Sequence, residues 1–102
     1  MDESFVRNRI AELRLKKNVS EYKMSMELCQ SKSYVQGISS GKALPSMSQF
    51  LNICDYFEIE PMQFFDTEEL YPQLIRKALN GMKKLNEEDL LLVISFINRL
   101  NK

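Results

Sequence analysis

Apolar residues recur along this chain at spacings of three and four, and no stretch alternates cleanly with a period of two. Helix-period patterning over the whole length, punctuated by only three Pro and three Gly, predicts an all-α protein of short helices. Val6, Ile10 and Leu13, with Phe5 near the start, make the inner stripe of a helix over 4–17, and Asn18 suits the left-handed residue that ends it. Ser20 caps a second helix over 20–28 with Met24 and Leu28 inward; Val19 and Met24 occupy the two positions of a hydrophobic staple. After a tight connection at 29 and 30, Ser31 caps a third helix over 31–40 that buries Val35 and Ile38. Gly41 ends that helix, and a loop covers 42–45.

Ser46 then caps a fourth helix, and Gln49 three residues on completes a capping box. Met47, Phe50, Leu51, Cys54 and Phe57 follow as its core stripe. Ile59-Glu60-Pro61 opens a short fifth helix with Phe64 and Phe65 available for packing, so a compact unit closes near Asp66. In the remainder, Pro72 opens a helix carrying Leu74, Ile75, Ala78, Leu79 and Met82, which Asn80-Gly81 either ends or weakens. Asn86 caps a last helix with Glu87, Glu88 and Asp89 in its first turn. There Leu90, Leu91, Leu92, Val93, Ile94, Phe96, Ile97 and Leu100 cover more than one face, which requires packing on its own domain, on a partner, or on both. The expected organisation is a five-helix domain over 1–66 and a helical tail over 67–102.

Composition narrows the chemistry. A chain of 102 residues, 44% hydrophobic and 27% charged, fits one small domain with an appendage. It has no His, the commonest general base and metal ligand. Cys29 and Cys54 lie 25 residues apart without a C-x-x-C pair, and no glycine-rich phosphate loop is present. Neither a catalytic set nor a metal or cofactor site is expected, so the chain reads as a non-enzyme. The longest apolar run, 90–94, is far short of a bilayer span, and the acidic N-terminus is no signal peptide. A cytoplasmic protein with free thiols is expected. The net charge of zero is uneven: residues 1–42 carry eight Lys/Arg against five Asp/Glu, and 43–102 carry six against nine. A basic front half suits contact with a polyanion or, equally, a solvated helix surface.

Two capped helices joined by a three- or four-residue turn make a helix-turn-helix at 20–40. Here the chain resembles the phage-repressor-like (XRE-type) helix-turn-helix family of transcriptional regulators. The matching residues are Ile10-Ala11-Glu12-Leu13-Arg14, Val19-Ser20, Met24, Leu28, Ser31-Lys32-Ser33-Tyr34-Val35, Ile38, Gly41-Lys42, Pro45-Ser46 and Ile53-Cys54 onward to Phe65, spread without a gap over residues 4–66. The resemblance implies a third helix lying in the major groove of double-stranded DNA. It implies base contacts at Lys32, Ser33 and Gly37, with Tyr34 and Gln36 close by, and phosphate contacts at Ser20, Ser31, Ser40 and Lys42. Chemistry agrees: Lys32 can donate to guanine O6 and N7, Gln36 can pair with adenine, and a helix N-terminus offers free N–H groups to phosphate.

Four residues depart from the family pattern. Glu21 stands where a phosphate-binding Gln is usual, Cys29 replaces the turn Gly, Gly37 offers no side chain at a base-reading position, and Ser39 replaces a frequent Glu, so Arg14 needs another acceptor or stays solvated. The expected function is a homodimeric, sequence-specific DNA-binding repressor, with Leu91, Leu92, Phe96, Ile97 and Leu100 of the tail at the dimer interface. Glu21, Gly37 and the neutral net charge favour the alternative, a protein-interaction module of the same fold, antitoxin-like or adaptor, with weak or no DNA binding.

Overall fold

Asp2 starts the first helix by accepting the Phe5 N–H on its side chain at 3.3 Å, and α1 (Glu3–Lys17) runs until Asn18 turns left-handed at φ 59°. In the computed structural model, which describes residues 1–68 and 70–102, six further helices follow: α2 (Glu21–Glu27), α3 (Tyr34–Ser39), α4 (Met47–Tyr56), α5 (Pro61–Phe64), α6 (Pro72–Met82) and α7 (Glu87–Leu100). Local chemistry sets most of these ends. Ser20 accepts the Lys23 N–H at 3.0 Å. Ser46 and Gln49 exchange both bonds of a capping box, at 3.2 and 2.9 Å. Pro61 sits in the first turn of α5, where its missing N–H costs nothing. Every described helix is α-helical and no strand occurs among the described residues.

The chain forms two compact units, Met1–Leu70 and Tyr71–Lys102. The first contains the core: Ile10 and Leu13 of α1, Met24 of α2, Val35 and Ile38 of α3, Ile53 and Cys54 of α4, then Phe57, Ile59 and Phe64. Phe50 meets Phe64 edge-on at 4.9 Å, and Phe5 stacks on Phe65 at 6.0 Å. Tyr56 donates to Glu27 Oε1 at 2.7 Å, tying α4 to α2. Desolvation, and then that carboxylate, hold its phenol far above the ordinary range and protonated.

The inner face of α4 differs from expectation. Met47 is 72% exposed and Leu51 is also exposed, while Phe50, Ile53, Cys54 and Phe57 face inward. Both sets show the spacing i, i+3, i+4, i+7, so periodicity alone could not choose between them. The return of α5 against α4, with Phe64 under Phe50, selects the later set.

Arg9, a charged residue on α1, is 2% exposed. Its Nε donates to the Phe64 carbonyl at 2.6 Å, Nη2 to the carbonyls of Gln63 and Asp66 at 3.0 and 3.1 Å, and Nη1 to Glu12 Oε1 at 2.7 Å. The last carbonyls of a helix have no partner of their own. One planar guanidinium satisfies three around the end of α5 and ties that end to α1.

In the second unit, α6 continues through Asn80-Gly81 to Met82, so that pair weakens the helix without ending it. Asn86 caps α7 by accepting the Asp89 N–H at 2.8 Å. No residue of α7 is buried; Leu91, Leu92, Ile94, Phe96, Ile97 and Leu100 are all exposed. Among the described residues, no helix is long and apolar enough to cross a membrane.

Removing the Arg9 clamp tests its weight. Arg9→Met removes four hydrogen bonds, among them that to the buried Phe64 carbonyl, and should lower unfolding free energy by about 3 kcal/mol in urea titration. Arg9→Lys should not restore it, because one ammonium cannot fork across three carbonyls.

Candidate nucleic-acid interface

The segment joining α2 to α3 is built by backbone chemistry. The Leu28 N–H closes the last turn of α2 on the Met24 carbonyl at 2.9 Å. Cys29 then takes a left-handed conformation, φ 59°, which costs a non-glycine residue on the order of 1 kcal/mol. That turn returns the Gln30 N–H to the Ser25 carbonyl at 3.0 Å. Residues 31–33 form a further turn, closed by the Tyr34 N–H on the Ser31 carbonyl at 3.0 Å.

The third helix is accordingly shorter than the expected 31–40. It spans Tyr34–Ser39, Ser33 holds the N-cap position without a side-chain bond, and Ser31 does not cap it. The missing cap comes from another helix. The Oγ of Ser25, fully buried on α2, accepts the Val35 N–H at 3.0 Å and donates its own hydrogen to the Glu21 carbonyl at 2.8 Å. A tertiary contact therefore does what the local sequence was expected to do, and it sets the start of α3 against α2.

With Val35 and Ile38 in the core, Lys32, Ser33 and Gln36 remain exposed, the first two in the turn before α3 and the third on it. Gly37 lies beside them in open space: a Cβ there would meet no atom within 4 Å. Tyr34 turns the other way. Its hydroxyl is buried, and with Leu28, Gln30, Gln49 and Asn52 it lines a cavity of about 10 Å³. Burial pushes that hydroxyl above its ordinary range. Among the phosphate candidates, Ser20 and Ser31 are exposed, whereas the Ser40 hydroxyl donates to the Gly37 carbonyl at 3.2 Å. Lys42 is exposed, and its backbone N–H is anchored on the same carbonyl at 3.0 Å. Lys32, Ser33, Gln36 and Gly37 are thus neighbours along one exposed segment, with Lys42 in the turn that follows.

Two departures from the family pattern meet each other. Ser39 donates its hydroxyl hydrogen to the Glu21 carboxylate, linking α3 back to α2. Arg14, with no acidic partner among the described residues, donates from Nη1 to the Val19 carbonyl at 2.9 Å and so ties the end of α1 to the approach to α2.

Arg7 lies outside the residues that the sequence pattern marks as a site. From α1 its Nη2 reaches the Gly41 carbonyl at 3.5 Å and the Glu3 carboxylate at 3.4 Å. The signal was a basic residue one position past Val6, off the apolar stripe; nothing in a linear pattern places it beside residue 41. Elsewhere on the unit, Val6, Leu44, Pro45, Ser46, Met47, Phe50 and Phe65 line an open apolar cleft of about 260 Å³. Among the described residues no group of three His, Cys, Asp or Glu is placed to hold a metal ion.

Two substitutions probe the α2–α3 geometry in opposite directions. Ser25→Ala strands the buried Val35 N–H and should lower stability by about 1–3 kcal/mol. Gly37→Ala enters open space on a helix and should raise stability by about 1 kcal/mol. Thermal unfolding of both variants checks the pair. No protein-family model, curated protein or solved structure matches the chain.

Proposed function

We propose that this chain is a sequence-specific double-stranded DNA-binding transcriptional regulator of the XRE-type helix-turn-helix kind, acting as a homodimeric repressor in the cytoplasm. The observation that carries the reading is the two-sidedness of the α2–α3 segment. Val35 and Ile38 are fully buried, while Lys32, Ser33 and Gln36 stand free within one turn of each other. A lysine and a glutamine so placed suit the acceptor-rich edge of guanine and the paired edge of adenine. Ser20, Ser31 and Lys42 would touch phosphates and set register, and the base-edge residues would set choice. The α7 face, with Leu92, Phe96 and Leu100 at i, i+4 and i+8, has the apolar surface a second copy would cover. Two copies would set their α3 elements in successive major grooves, about 34 Å apart, on a two-fold-related operator. Regulation would be by occlusion, without a chemical step.

The second reading, a protein-interaction module, is favoured by the neutral net charge, by the absence of a side chain at Gly37 and by Glu21, which keeps a carboxylate beside the proposed contact surface. Such a module would bind no duplex even at low salt. A DNA binder would lose affinity steeply as salt rises.

Selection from random duplex pools should return a two-fold-related motif, and an unenriched pool would remove the DNA reading. On the selected site, Lys32→Ala with Gln36→Ala should weaken binding by at least tenfold with the fold intact, since each base-edge pair contributes about 1–3 kcal/mol. In the tail, Leu92→Glu with Ile97→Glu should convert dimers to monomers in sedimentation; a dimer that survives places association elsewhere.

A further inference from the structure

The two arginines flanking Asn8 are used differently. Arg9 spends its donors on four bonds of 2.6 to 3.1 Å, deep in the fold. Among the described residues Arg7 makes two long ones, both from Nη2, at 3.4 and 3.5 Å. Its Nε is covered by protein and has no acceptor among the described residues. A covered N–H without a partner is unfavourable, so an oxygen ligand that let the guanidinium re-orient and engage more donors would gain more than its charge alone provides.

The place matters as much as the unspent donors. The Arg7 side chain lies over Gly41, where a Cβ would sit 3.8 Å from Nε, and Gly41 holds φ 87° in the turn leaving α3. That turn carries Lys42, one residue on, exposed and anchored by its backbone on the Gly37 carbonyl. The hydroxyl of Ser40 in the same turn already spends its hydrogen on that carbonyl, so the remaining donors for an anion there are cationic. The acid paired with Arg7 is Glu3, whose side chain is 69% exposed and loosely held.

We infer that Arg7 is a phosphate-contacting residue, through which α1 adds a second cation beside Lys42 to the turn after α3. The inference rests on the DNA-binding reading above. The ligand is the sugar-phosphate backbone of a duplex, engaged irrespective of sequence.

Because phosphate contacts are counted by salt dependence, an arbitrary duplex suffices as the probe. The full-length protein is titrated with a random-sequence 24-base-pair duplex at several salt concentrations. Each lost contact should flatten the slope of log K against log salt by about 0.9, a difference of roughly 3.5-fold between 50 and 200 mM. Arg7→Gln and Lys42→Gln should each flatten the slope by that amount, the double variant by twice it, and Arg7→Lys should keep it. Thermal unfolding confirms that the variants are folded. Should Arg7→Gln fold poorly, Glu3→Gln carries the test from an exposed position: freeing Arg7 should tighten binding severalfold at low salt. If Arg7→Gln keeps the parent slope while Lys42→Gln loses its share, or if Glu3→Gln leaves binding unchanged, Arg7 is not a contact and the DNA reading stands without it. If the parent protein shows no salt-dependent binding at all, the DNA reading itself fails and this inference falls with it.

Discussion

A single buried guanidinium closes the first unit. Five short helices cannot be stabilised by their own hydrogen bonds, and α5 has only four residues. Burial of Phe64 holds α5 by its side chain, but the backbone at its end still needs donors. Arg9 provides them across a separation of more than fifty residues, and Glu12 at 2.7 Å balances its charge. Burying an unpaired charge would be prohibitive, whereas a charge with four acceptors can hold one defined arrangement. The core of Ile10, Leu13, Val35, Ile38, Ile53 and Phe64 then packs around a backbone that has few ways to slide.

Within that frame the α2–α3 segment depends on a smaller version of the same principle. Six residues of α3, with a glycine among them, carry little intrinsic helical stability. The Ser25 hydroxyl caps it from α2, and the Glu21–Ser39 bond ties its far end to the same helix. Both links run to α2, while the outer side chains Lys32, Ser33 and Gln36 are exposed. A reader of base edges needs this combination, a held backbone and free tips.

The tail obeys another rule. Pro72 opens α6 at its first position and Asn86 caps α7, but most apolar residues of the two helices are exposed. Local helix formation and burial are separate requirements, and the second unit satisfies the first within one chain. The exposed leucines and Phe96 of α7 therefore remain available for contact.

How much of this was legible in the sequence follows from the range of each interaction. An N-cap and the N–H it serves lie three residues apart, so Ser20, the Ser46–Gln49 box and Asn86 announce helix starts directly, as Pro61 does by its fixed φ and Asn18 announces an end by its tolerance of the left-handed conformation. The buried side of α3 was equally plain from Val35 and Ile38. Tertiary structure alone decided the rest. It moved the start of α3 to Tyr34, because the capping oxygen belongs to Ser25 on another helix. It chose Phe50, Ile53, Cys54 and Phe57 over the overlapping stripe from Met47, because α5 returns against α4 with Phe64 under Phe50. It buried Arg9 and set Arg7 beside Gly41 from nearly adjacent positions on one helix. Sequence determines what each stretch can form on its own; which polar group meets which, across tens of residues, exists only once the chain has packed.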